Sequence, residues 1–361
     1  MGEDRIISVE PHDHVLALAE PLRIGPMSVT ERRFASVRVL TEHGRTGVAV
    51  AQTRGAPVAA IVSALLAPAV VGRDATAVAA RWEEMFRATI AVGRVGLVVR
   101  AISLVDIALW DLLGQEAGLP VARILGGFRE RIPVTFIAGL AGGPDDVAGV
   151  VDAAVEAATA GHATIKIARP PTAELALALI TKLDRALPPG TRLIVDANWI
   201  WRSVPEALRE LATWPVRRLE WVEDPFPPEQ TKALRALRRA TDIPVAAGDE
   251  VADPGLVHRL LDGAVDVLRL DVLTVGGITA AIPLVGAAHR EAVPVSFHIS
   301  PETSVHVACG LPGARDIETF DRTGNRFDPS HELLSGGPTF TSGTATLTDR
   351  PGLGFVVTAP D

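Results

Sequence analysis

From Arg131 onward, short runs rich in β-forming residues recur eight times, and helical stretches separate them. The runs are "RIPVTFIAG", "ATIKIA", "RLIVDAN", "LEWVEDP", "DIPVAAGD", "VDVLRLD", "VPVSFH" and "ARDIETF". Stretches such as "DDVAGVVDAAVEAATAG" and "AELALALITKLDRAL" lie between them. Parallel neighbours cannot be joined by a tight turn and need a crossover, so this alternation predicts an α/β architecture closed into a parallel β/α barrel. A doubly wound open sheet is the alternative.

The first 125 residues follow another pattern. "FASVRVLTEHGRTGVAVAQT" alternates and turns at "EHGRTG", a hairpin signal. In "RAISLVDIALWDLLGQEAGLP", Ile102, Val105, Leu109 and Leu112 recur at helical spacing until Gly118-Leu119-Pro120 stops the run. This predicts an α+β domain. The last stretch, "SGGPTFTSGTATLTDRPGLGFVV", has strand and turn composition and is expected to pack back on that domain.

At 361 residues the chain exceeds one ordinary core, in keeping with a barrel plus an added domain. Its net charge of −8 leaves no basic footprint for nucleic acid, and no Lys/Arg run addresses an anionic membrane. A single cysteine, Cys309, excludes a disulfide framework and suits a reducing cytoplasm. The start, "MGEDRIISVE", lacks the layout of a signal peptide, and Pro68 breaks the longest apolar run. The expectation is a soluble, cytoplasmic protein with a small-molecule partner, self-associating as barrels commonly do.

The eight runs share a second feature: from the second onward, each ends in a polar residue. These are Lys166, Asp196, Glu223, Asp249, Asp271, His298 and Glu318. In a β/α barrel the carboxyl ends of the strands converge on one pocket. Singly, an acid after a strand reads as a helix cap, as Asp224 or Asp249 could be, and a lone histidine as a core residue. Capping does not account for ionisable groups in register on seven successive strands. Asp196, Glu223 and Asp249 stand on three adjacent strands and offer only oxygen, which favours Mg²⁺, with Mn²⁺ as the alternative. Asp271 and His298 follow on the next two strands, where the carboxylate can orient the imidazole as a general base. Arg269 shares the face of Asp271 one layer deeper and reads as structural.

These strings resemble the enolase superfamily, and within it the mandelate racemase subgroup of the mandelate racemase/muconate lactonizing enzyme family. "AISLVDIALWDLLGQEAGLPVARILGG" is similar to the family's signature at the end of its capping domain. "VDAN", "WVEDP" and "IPVAAGDE" resemble its metal-ligand strands. "LRLDVLTVGGIT", "VPVSFH" and "IETFD" resemble those bearing the dyad Asp271, the dyad His298 and Glu318. The resemblance implies a modified TIM-type (β/α)7β barrel over residues 126–330, a capping domain over 1–125, and a C-terminal segment, 331–361. It also implies abstraction of a proton beside a carboxylate, with Mg²⁺ stabilising the ene-diolate. Glu318, by resemblance, hydrogen-bonds the substrate carboxylate and must be protonated or share a proton to do so.

The second strand departs from the family pattern, Lys-x-Lys, because it reads Lys166-Ile167-Ala168. Either Lys166 is the first lysine and Ala168 replaces the catalytic second, or Lys166 is the second and Thr164 replaces the first. Spacing from Gly161 and on to Asp196 favours the former. Only His298 is then equipped to take a proton, which implies one-sided chemistry: dehydration of a sugar acid to a 2-keto-3-deoxy acid. A racemase, epimerase or cycloisomerase using Lys166 and His298 as opposed bases is the second expectation, and a non-catalytic ligand-binding barrel the third. Specificity is expected from a capping-domain loop around "EPHDHVLALAEPLRIGP", with His12 and His14 expected to face solvent and the pocket mouth as the alternative. Trp199 and Trp201 are equally placed to line the substrate pocket or to pack a loop.

Overall fold

The computed structural model describes residues 3–24, 27–322 and 326–358. An antiparallel meander opens the chain: β1 (Ile6–Ile24), β2 (Met27–Thr41) and β3 (Thr46–Gln52). The turn at "EHGRTG" joins β2 to β3 as expected, with Gly44 at a positive φ of 77°. The stretch from Glu10 to Ile24, expected to be a loop, is instead strand paired with β2. It holds two prolines, Pro11 and Pro21. β1 lies at the edge of the sheet, where a missing N–H costs no ladder bond. Gly25 and Pro26 lie outside the described residues.

The helix Leu97–Ala117 lies across the meander and is buried along most of its length. Gly47 of β3 makes this possible, because a Cβ there would sit 2.1 Å from the Ala108 carbonyl oxygen. The helix ends at Gly118 in the left-handed conformation, the usual glycine stop.

Eight parallel strands follow: β4 (Arg131–Leu140), β5 (Thr164–Ala168), β6 (Arg192–Asp196), β7 (Leu219–Glu223), β8 (Val245–Ala247), β9 (Val267–Leu270), β10 (Val295–Phe297) and β11 (Ala314–Thr319). Each pairs with the next, and β11 pairs with β4 through Ile317–Val134, Glu318–Thr135 and Thr319–Phe136, which closes the barrel. A helix fills each of the seven crossovers, from Val147–Thr159 to Pro301–Gly310. Outward side chains such as Ile165, Ile167, Val195 and Leu268 pack under those helices. Ile194, Trp221, Ala246 and Val267 form a separate apolar plug inside the barrel.

The C-terminal stretch divides. β12 (Leu334–Gly336) and β15 (Phe355–Val357) pair, and Leu333, Leu334 and Val357 pack on Phe34 and Val50 of the meander. β13 (Thr339–Thr341) and β14 (Thr344–Thr346) instead extend the barrel sheet antiparallel to β4. No helix among the described residues is long and apolar enough to cross a membrane.

Candidate active site

Above the apolar plug the barrel interior changes character. Period-two alternation carries the inward face from Ile194 to Asp196 on β6, and from Trp221 to Glu223 on β7. Asp249, Asp271 and His298 stand just past the ends of β8, β9 and β10. Sharp bends hold them there. Asn198, Trp199, Asp224, Glu250 and Ser300 all have positive φ, between 43° and 59°, although none is glycine. Left-handed residues cost energy and cluster where a fold must aim side chains. Gly248 has φ 129°, and a Cβ there would lie 2.3 Å from the Arg269 carbonyl oxygen. Only glycine lets the chain pass that point to present Asp249.

The sequence-expected residues converge. Ligand oxygens of Asp196, Glu223 and Asp249 lie within 4.8 Å of one another, and Asp249, His298 and Glu318 form a second such group. Lys166, on β5, sends its ammonium into the cluster. Its Nζ donates to Glu223 and lies 3.2 Å from Glu318, 3.3 Å from Asp196 and 3.6 Å from Asp249. Burial disfavours that charge, but Glu223, Glu318 and Asp196 outweigh it and hold the lysine pKa well above its ordinary value.

Arg269 forms the floor, fully buried one layer below. Its Nε lies 3.1 Å from Asp249 and 3.2 Å from Glu223, and its Nη2 lies 2.6 Å from Glu318. Nη1 donates to Ser296 Oγ, whose own hydroxyl donates to Asp316. This is more than a structural arginine packed in a core: it touches three of the seven strand-end residues. Burial works against the Glu223 and Glu318 carboxylates, yet Arg269 and Lys166 hold both below the usual range. Asp196 and Asp249 go the other way. Burial and the neighbouring acids raise both, Asp249 to about 7.

The dyad assembles as expected. His298 Nδ1 lies 3.0 Å from Asp271 Oδ2, which leaves Nε2 facing the cluster, 3.7 Å from both Asp249 and Glu318. Burial disfavours the imidazolium, but Asp249 above all, then Asp271 and Glu318, push the pKa up to about 10. Asp249 is the largest of these upward influences.

The register of β5 bears on its two alternatives. Ala168 pairs with Asp196, and Lys166 pairs one layer lower with Ile194. Ala168 and Lys166 both line the cavity above the cluster, whereas Thr164 pairs with Arg192 at the far end of the strand. The tryptophans do not line it. Trp201 is buried against Trp214 and donates to Glu210 at 2.8 Å, and Trp199 is exposed. His12 is exposed, and His14 bonds Ser36 at 2.8 Å on the meander.

Four further side chains border the site, none of them expected there from the sequence. Asp224, buried next to Glu223, accepts from the Gly248 N–H at 3.3 Å instead of capping a helix. Glu250 binds Arg100 at 2.5 Å and also pairs with Arg54. Arg32 and Arg54, from the meander, line the cavity. Glu250 adjoins Asp249 and could have been flagged from position alone. The arginines lie more than 100 residues away from the strand ends, with no motif around them.

The donor set fits a divalent cation. Three carboxylates on adjacent strands, all oxygen, are crowded in a buried site with further acids behind them, and Lys166 is a cation already drawn among them.

Residues 6–126 match the family model of the mandelate racemase / muconate lactonizing enzyme N-terminal domain. Residues 149–361 match the model described as enolase C-terminal domain-like. The D-galactarolactone cycloisomerase of Agrobacterium fabrum is 29% identical over 370 residues, covering 98% of this chain and 96% of that protein. A putative L-rhamnonate dehydratase of Caldivirga maquilingensis is 32% identical over 326 residues, covering 88% and 79%. Among solved structures, the L-talarate dehydratase of Polaromonas sp. JS666, complexed with Mg and L-glucarate, has a TM-score of 0.87 at 26% identity, covering 98% of this chain and 95% of that one.

Proposed function

This chain belongs to the mandelate racemase/muconate lactonizing enzyme family of the enolase superfamily, and on that premise we propose that it is a Mg²⁺-dependent dehydratase of sugar acids. Asp196, Glu223 and Asp249 would hold the cation, which supplies Lewis-acid neutralisation of the charge that develops on the substrate carboxylate. Mn²⁺ would satisfy the same oxygen donors.

Each remaining step falls to the chain's own groups. Asp271 accepts the Nδ1 proton of His298 and so leaves Nε2 free to take the α-proton. Lys166 adds positive charge where the carboxylate becomes more anionic, and donates a hydrogen bond to Glu318 at 3.2 Å. The electrons of the broken C–H bond form a carbon–carbon double bond as the β-hydroxyl leaves. His298 returns its proton to that hydroxyl, water departs, and the enol tautomerises to a 2-keto-3-deoxy acid.

One observation carries the choice of dehydration. Ala168, in register with Asp196, gives the cavity a methyl group three strands around the barrel from His298. A methyl group cannot serve as a second base. The Caldivirga relative is named a dehydratase, which supports the same reading. Residence in the cytoplasm and assembly as a homo-oligomer belong to this proposal too.

The test is a screen of Mg²⁺-loaded protein against a library of sugar acids, read by 2-keto acid formation. Turnover that gives keto acid supports dehydration. A second reading, epimerisation or cycloisomerisation with Lys166 as the opposed base, draws on Lys166 lining the cavity and on the Agrobacterium cycloisomerase. An isomer as the sole product would put it first. No α-proton exchange with any acid in heavy water would leave a ligand-binding barrel.

A further inference from the structure

The cavity above the acid cluster has a second charged wall that the chemistry at its floor does not use. In the meander, Phe34 of β2 pairs with Gln52 of β3. Arg32 lies two residues before Phe34 on β2 and Arg54 two residues past the end of β3, at the same end of the ribbon, where the Thr53 N–H donates to the Arg33 carbonyl at 2.8 Å. Gln52, Arg32 and Arg54 line the same cavity as Lys166, Asp196 and His298. The reacting end is therefore on the barrel side and two guanidinium groups are on the capping side.

Neither arginine is placed there cheaply. Arg32 is partly buried, and its Nε donates to the Phe327 carbonyl at 3.1 Å. Burial and the like charge of Arg54 both lower its pKa, opposed by Asp328. Asp328 is already engaged by Ser330, whose N–H and hydroxyl each donate to it at 2.9 Å. Among the described residues no acid forms an ion pair with Arg32. Arg54 is held by Glu250 on a backbone with φ 54°, a conformation uncommon outside glycine. Two adjacent guanidiniums, one partly desolvated and without an acid of its own, suit an incoming carboxylate, whose two oxygens match their donor fork.

We propose that Arg32 and Arg54 bind a second carboxylate at the far end of the substrate, so that the substrate class is a dicarboxylic sugar acid. This rests on the reading of the site as one that deprotonates a sugar acid beside its first carboxylate. A terminal hydroxymethyl group, as in a monocarboxylic sugar acid, leaves Arg32 desolvated and unpaired.

The experiment compares acids that differ only at the far carbon: galactarate with galactonate, and glucarate with gluconate. Wild type should favour the dicarboxylates in kcat/KM. Arg32→Met should cut the dicarboxylate-to-monocarboxylate ratio by about tenfold or more, mainly through KM, and Arg32→Lys should restore part of it. Binding of two unreactive acids, adipate and hexanoate, to the Mg²⁺-loaded protein gives a readout free of turnover. Adipate should bind more tightly, and Arg32→Met should erase the difference. Arg54→Met serves where Arg32→Met does not fold, with the same expectation. A ratio that is the same in wild type and variants overturns the proposal, even where monocarboxylates are dehydrated and the dehydratase reading stands. An arginine-dependent preference for adipate with no dehydration of any acid upholds the subsite and removes the dehydratase reading.

Discussion

Lys166 shows how far single residues could be read. An ammonium on an apolar strand in a chain with only three lysines signals a compensated charge, and the structure supplies the compensation in Glu223, Glu318, Asp196 and Asp249. The sequence left two registers open because counting residues does not locate a strand's partner. Ala168 pairs with Asp196 and Lys166 with Ile194, the arrangement on which the proposed register rests. If Lys166 acts by charge alone, Lys166→Arg keeps measurable turnover, while Lys166→Met loses about 10²–10³-fold in kcat, the usual cost of one preorganised charge. Wild type in heavy water should form keto acid and no epimer of the starting acid. Epimer that accumulates in wild type and vanishes in Lys166→Arg would make the lysine a base and reverse the assignment. His298→Asn should abolish α-proton exchange altogether, and full exchange in that variant would move the base elsewhere.

At the scale of elements, legibility follows period. All eight barrel strands are visible in the sequence because each is a short apolar run between helical stretches. The β1–β2 ribbon is not, since prolines and acidic residues at an exposed edge look like a loop until a partner strand is supplied. Long-range ties are equally silent. Asp106 accepts from the Thr279 N–H at 3.0 Å, and a Cβ on Gly277 would lie 2.2 Å from Asp106 Oδ2. This explains Gly277, the second glycine of "VGGIT", by packing of the capping helix on the barrel. His306 ties three parts of the chain. Its Nδ1 accepts from the Ala122 N–H at 3.4 Å, and its Nε2 donates to the Leu353 carbonyl at 3.0 Å. Burial depresses its pKa to about 4, and only the Leu353 bond opposes this. A depressed histidine stabilises the fold fully above its unfolded pKa of about 6.5, and that stability drains away as pH falls through about 4. The loss comes to roughly 3 kcal/mol at one pKa unit per 1.36 kcal/mol. His306→Gln keeps the Leu353 donor without a titrating ring. Its melting temperature should be lower at pH 7.5 and should fall less steeply than wild type between pH 6.5 and 4.5. Parallel curves for the two proteins would remove His306 from the account.

The whole molecule is organised around a charge imbalance at the barrel mouth. Asp196, Glu223, Asp224, Asp249, Asp271 and Glu318 gather there against Lys166, Arg269 and His298. Like charges so buried repel unless a cation joins them, so the folded barrel should be held in reserve for one. Mg²⁺ at a hundred times its Kd should stabilise the fold by about 2.7 kcal/mol, since only the folded chain brings the three strands together. Thermal melts with and without Mg²⁺ read this directly. Asp196→Asn, Glu223→Gln and Asp249→Asn should each shrink the shift, and a shift unchanged in all three would dismiss those ligands. Lys166 sharpens the argument, because its ammonium competes for the same oxygens. Removing that charge in Lys166→Met takes away both a competitor and a repulsion. Coulomb's law then requires Mg²⁺ to bind the variant at least as tightly as wild type, even though turnover is lost. Calorimetry on the two proteins decides it: weaker Mg²⁺ binding in Lys166→Met would mean that the lysine supports the cation site through structure and not through charge.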